Sequence, residues 1–168
     1  MKSGLTIRED NYSSVLDALK QLSGTDVLVG IPAGPPRDDA PLSNAELGYL
    51  QSTGATVEID GETVTLPPRP FLDMGIEDSR DKTTERLKLA AQSALEGKAD
   101  VAEQHLEAVG QIAMDASKAV IEAGDRLTPL SEKTIKKRRK MKPPIPGDKP
   151  LRARGFLFRA IQYVVRKK

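Results

Sequence analysis

The chain has 168 residues, 38% of them apolar, with a formal net charge of +2. That is one domain's worth of chain with a modest core. It has no cysteine and a single histidine, His105, which excludes disulfides, thiolate metal sites and a His/His metal pair. Only 4% of residues are aromatic and none is Trp, so the core must be built from Leu, Val, Ile and Ala, which points to an α+β protein.

The total charge conceals a division. From Arg126 onward there are 15 Lys/Arg against Glu132 and Asp148, a net of +13, whereas the preceding residues hold 11 cations and 22 acids, a net of −11. Residues 1–168 therefore read as one domain with an acidic body, 1–125, and a basic C-terminal segment, 126–168. Such asymmetry marks contact with nucleic acid or another anionic surface, and an acidic body equally suits the basic segment of a second copy. No stretch is long enough for a membrane span, and Met1-Lys2-Ser3-Gly4 leads into polar residues, not an apolar signal core. The expectation is a protein that stays in the cytoplasm where it is made, with no membrane partner.

In chain order, "NYSSVLDALKQL" sets Val15, Leu16, Leu19 and Leu22 at helical spacing and is stopped by Ser23-Gly24. "DVLVGIP" is a β-branched run ended by prolines and predicts a buried strand. Ser43 with Glu46 three residues on is a capping box, opening a short helix that stops at Gly54. "ATVEIDGETVTL" alternates about Asp60-Gly61, the signature of a β-hairpin. Its polar residues predict that it projects from the body.

A connector stiffened by Pro67, Pro68 and Pro70 then enters a long helix with Leu87, Ala91, Ala94 and Leu95 on one face and Gly97 as terminator. A second long helix, about 100–123, carries Leu106, Val109, Ile112, Ala113, Ala116 and Val120 along its seam. Ser131 and Thr134 open a short basic helix, cut off by Pro143-Pro144. The closing "FLFRAIQYVV" begins as a helical turn and ends as a strand, adding an edge to the sheet begun by Asp26 to Ile31.

Chemistry is sparse. Asp78, Asp81 and Glu85 interleave with Arg80, Lys82 and Arg86, the pattern of a solvated helix face and not of a carboxylate pair. "GIPAGPPR" lacks the Gly-Lys-Ser/Thr ending of a P-loop, and its prolines withhold N–H donors. The residues therefore predict no enzyme, no cofactor and no metal. Lys136, Lys137, Arg138, Arg139 and Lys140, with Arg152 and Arg154 further on, form the cationic surface. Taken alone it reads as a solvated helix face, a phosphate contact or a docking site for an acidic protein surface.

Two stretches together carry a resemblance. "SNAELGYLQSTGATVEI…LPPRPFLDMGI" and "TPLSEKTIKKRRK…KPLRARGFLFRAIQYVV" are similar, in order, to the patterns of the neck and tail-completion (head-tail joining) proteins of long-tailed bacteriophages. The family often has Asp-Thr-Gly where this chain has Ala153-Arg154-Gly155, so this chain lacks that acidic position. The resemblance implies an α+β fold with a small sheet packed on long helices. It further implies a non-catalytic virion protein that forms a ring, commonly of six copies, around the DNA channel. Its partners would then be the head connector or stopper protein on one side and the tail terminator or tail tube on the other, with non-specific contact to packaged DNA. Tail terminator or minor capsid protein are related roles, and a separate nucleic-acid-binding protein is the reading from a different class. On the ring reading, Pro68, Arg69, Pro70 and Phe71 present an inter-subunit anchor, or Phe71 caps the core beneath the long helix. Glu58, Asp60, Gly61 and Glu62 then reach a neighbour.

Overall fold

The structure is a computed structural model that describes residues 12–38, 41–59 and 61–168. Its elements run α1 (Tyr12–Ser23), β1 (Thr25–Gly30), α2 (Asn44–Thr53), β2 (Ala55–Ile59), β3 (Glu62–Leu66), α3 (Phe71–Asp78), α4 (Arg80–Leu95), α5 (Ala99–Ala123), α6 (Glu132–Lys140), α7 (Phe156–Ala160) and β4 (Gln162–Lys167). The fold is α+β, with a β-hairpin and a small antiparallel sheet packed on helices.

Helix α5 is the axis, because α3, α4, β1 and β4 all pack against it. β4 pairs antiparallel with β1, setting Val165 opposite Val27, Val164 opposite Leu28 and Tyr163 opposite Val29. The closing segment thus forms a helical turn and then the partner of β1, as its changing periodicity predicts. β1 is only half-buried, and Leu28 is 41% exposed. A sheet of two strands has helices on one face alone, so its outward side chains, Leu28 and Val164, have no layer to cover them.

The core joins Phe71, Val120, Ile121, Leu127, Leu157 and Ile161. It draws on α3, α5, the residue after α5's exit turn, and both sides of the α7 to β4 junction. Ile161 is fully buried, so the basic segment is clamped to the body by its own apolar end.

Two helix details depart from expectation. The helix after the proline connector is interrupted at Ser79, whose backbone N–H and hydroxyl both donate to the Gly75 carbonyl, at 3.1 and 2.9 Å. A serine that bonds back into the preceding turn bends a helix. On α4, Leu87 and Leu95 are exposed while Ala90 and Ser93 are buried, so the inward face is rotated from the one the leucines suggested. Small side chains let two axes approach closely, and α4, whose buried residues are Ala90 and Ser93, packs against α5. The turn between them is closed by Gly97 in the left-handed region, with Gly97 N–H donating to Ala94 O and Lys98 N–H to Ser93 O, each expected of a Schellman cap.

Close approach is sharpest at Gly75, where a Cβ would fall 2.3 Å from the Cα of Ser117. Backbone of one helix lies against backbone of the other, and neither can yield as a flexible side chain would. Gly75→Ala should therefore destabilise the protein by about 1–3 kcal/mol, read as a lowered thermal midpoint, while Gly34→Ala, at a site with open space and no left-handed φ, should leave the midpoint little changed.

Candidate assembly surface

The connector carries the first group of singled-out residues. Pro68 is exposed and Pro70 half-buried, but Arg69 is 5% exposed and Phe71 not at all. Arg69 Nε donates to Thr128 O at 2.6 Å, Nη2 to Pro129 O at 3.1 Å and Nη1 to Gln51 Oε1 at 3.1 Å. Its own N–H donates to Gln51 O, and the Thr128 hydroxyl donates to Pro68 O. Burial, and then the nearby positive charge of Arg138, pull the guanidinium below its ordinary pKa. Arg69 and Phe71 are thus intramolecular fixtures and not a surface anchor. The prolines hold the chain extended so that both side chains point inward, the opposite of the presentation expected from their stiffness.

The hairpin carries the second group. Glu58, Gly61 and Glu62 are exposed, and Asp60 lies outside the described residues. β2 and β3 pair with each other and with no other strand. Glu62 meets Lys133 at 2.6 Å, and this contact holds its carboxyl below the ordinary glutamate range. The hairpin is thereby tied to the first turn of α6.

The cations form the third group. α6 starts at Ser131, whose Oγ accepts from Thr134 N–H. Lys136, Lys137, Arg139 and Lys140 are exposed. Arg138 is not their equal: it is half-buried, donates from Nη1 to Lys149 O at 3.0 Å, and is lowered in pKa by desolvation. Its carbonyl also accepts from Ile145 N–H. It fastens the 145–149 loop to α6. Arg152 reaches Glu122 Oε1 at 3.4 Å, and Lys149 donates to Glu122 O at 2.7 Å, so the segment is stitched to the end of α5. Arg154 is exposed and its carbonyl accepts from Arg159.

Two members of this surface escaped the sequence. Arg37, from the proline-rich loop after β1, lies over the Phe156 ring at 4.5 Å, and Arg159 lies over the same ring at 5.3 Å. With Arg154 they line a cavity of about 770 Å³ walled by Pro32, Pro35 and Pro36. No local pattern links a loop arginine to a phenylalanine at the far end of the chain. The dense cationic run drew notice to α6 alone.

Among the described residues, no three His, Asp or Glu side chains gather into a group that could hold a metal ion. His105 lies on α5, with its Nδ1 3.5 Å from Arg86 Nη1. No described helix is long and apolar enough to cross a membrane. Comparison of the chain with family models, with curated proteins and with solved structures finds no match in any of the three.

Replacing Arg69 with Met keeps much of the bulk but leaves the Thr128 and Pro129 carbonyls without that donor. A loss of about 1–3 kcal/mol is expected in a urea melt, because the bonds lost come from a charged donor to acceptors that are only part-buried. Asp78, held by Arg126, and Asp26, held by Lys168 and Arg166, both have carboxyls below the ordinary value of 3.8. A depressed folded pKa means that the stabilisation is present above the unfolded pKa and is lost as pH falls through the folded one. The urea midpoint should therefore be level from pH 7 to 5 and fall below about pH 4, and Asp78→Asn should flatten part of that fall.

Proposed function

We propose that this chain is a structural virion protein of a tailed phage, forming a ring in the neck that completes the tail and joins it to the head connector around the DNA channel. The observation that carries the reading is the meeting of the two resembling stretches through one side chain: Arg69 of "LPPRPF" is bonded to Thr128 and Pro129 of "TPLSEK". The two motifs thus act as one fixture, which sets the basic α6 and the segment 149–159 on the body at a defined place. A cationic surface so fixed, on a chain whose body carries the opposite charge, suits head-to-tail association of identical subunits. The location in the virion neck, six copies, and contact with a head connector or stopper and a tail terminator or tail tube belong to this proposal. So does the absence of catalysis.

A second reading is favoured by the same cations: a nucleic-acid-binding protein that uses α6. The two part on native mass and salt. Analytical ultracentrifugation of the purified chain should show one closed species near six copies that persists once formed as salt is raised. A monomer at every concentration, binding duplex DNA with a log–log salt slope near −5, about what six phosphate contacts give, would reject the ring and favour the second reading.

A further inference from the structure

Helix α5 holds Asp100, Glu103, Glu107, Asp115 and Glu122, with Lys118 as its one Lys or Arg. Their intervals of 3, 4, 8 and 7 residues put them within one face of the helix, and all five are exposed. Within the described chain, Glu122 pairs with Arg152, while Asp100, Glu103, Glu107 and Asp115 have no salt-bridge partner. Asp115 accepts from the amide of Gln111, and the carboxylate of Glu107 raises the Tyr163 hydroxyl above the ordinary phenol value. The helix therefore shows a rigid anionic stripe on its outer side and buries the other side against α3, α4 and the β1–β4 sheet.

α6 is its counterpart in charge. Lys136, Lys137, Arg139 and Lys140 are exposed, and the only acid on the helix, Glu132, is 3.9 Å from Lys136. The helix is nine residues long, about 13 Å at 1.5 Å per residue, which matches a little over two turns of α5.

We infer that the occupant of the α6 face is a second copy of this chain, docked through the α5 stripe around Glu103 and Glu107. The inference rests on the ring reading and names the contact between neighbours. Charge complementarity selects this occupant over DNA. A nucleic acid on α6 would leave the stripe unmatched, and a chain of net charge +2 exerts little overall pull on a polyanion. A neighbour satisfies both faces at once, because each copy offers one cationic and one anionic helix. The contact is heterologous, and its repetition forms a ring where the rotation between successive copies closes. Arg138, which fastens the 145–149 loop, has no part in it.

The test uses two full-length variants. One carries Lys136→Glu, Lys137→Glu, Arg139→Glu and Lys140→Glu; the other carries Glu103→Lys and Glu107→Lys. Each alone should lose self-association by at least tenfold in dissociation constant at physiological salt, while an equimolar mixture regains the wild-type mass with alternating subunits. Circular-dichroism melts check that each is folded. If either melts below the wild type, the neutral pair Lys137→Gln and Glu103→Gln carries the same test, each weakening association. Assembly of both reversed variants at wild-type concentration would overturn the contact and leave the ring standing. Folded variants that fail alone and also fail when mixed would overturn it as well. Wild-type chain that stays monomeric would instead remove the ring reading itself. Loss of binding to a labelled 20-base-pair duplex in the α6 variant, with assembly intact, would assign the face to DNA.

Discussion

The end of α2, the exit of the β-hairpin and the start of the basic segment are held together by a buried guanidinium. Arg69 sits in a pocket with no carboxylate bonded to it, and its charge is met by two backbone carbonyls and an amide oxygen. A buried cation is tolerable only when its donors are used. Arginine does this where lysine cannot, since its planar fork reaches acceptors on two segments at once. The three acceptors come from the end of α2 and from residues 128–129, so a single side chain ties together the hairpin's entry, its exit and the start of the basic segment. The stiff prolines on either side reduce the entropy lost in holding that geometry.

With so few aromatic residues, the rest of the fold is held by proximity instead of bulk. Gly75 faces Ser117 with no room for a methyl group, and Gly110 lies beneath the ring of Tyr163, where a Cβ would come within 2.2 Å. Ala90, Ala102 and Ala113 are buried. Dispersion contacts are short-ranged, so bringing backbones together recovers what large side chains would otherwise supply. The consequence is that α5, touched on several sides, is the least deformable element, and any surface built on it is presented rigidly.

Much of this was legible because it is local. The Ser43–Glu46 capping box, the Asp60-Gly61 hairpin, Gly97 as a terminator, and the Ser131 cap all depend on neighbours in sequence, and α2, β2–β3, α4 and α6 begin or end where those signals stand. The seam of α5 was largely right, since Leu106, Val109, Ala113 and Val120 are buried. What failed was orientation between distant segments. Nothing near "PPRPF" states that Arg69 turns inward to carbonyls some sixty residues on, and so it read as a presented anchor. The leucines of α4 outweighed Ala90 and Ser93 in the pattern, although packing against α5 selects small side chains. Arg37 joined the cationic surface only through the ring of Phe156. Proline-bounded loops carry no periodicity from which such a meeting could be read.

The charge division remains to be explained by something other than folding. Exposed ion pairs contribute little to stability, with a median near 0–1 kcal/mol, so sorting anions to α5 and cations to α6 gains the monomer almost nothing. On α6 it has a cost: Lys136 and Lys140 are four apart, Lys137 and Lys140 three apart, and like charges at those spacings each oppose the helix by about 0.2–0.5 kcal/mol. The helix is kept in spite of this by the Ser131 cap, by cations lying at the end where the helix dipole favours them, and by the two bonds Arg138 makes to the loop that follows. A face that is unfavourable alone and rigidly held is suited to an opposite charge from outside the chain. The exposed carboxylates of α5 are a complementary surface carried by every copy of the same chain, and the proposed contact would also relieve their repulsion along the stripe. In the proposed assembly the two penalties would be offset together.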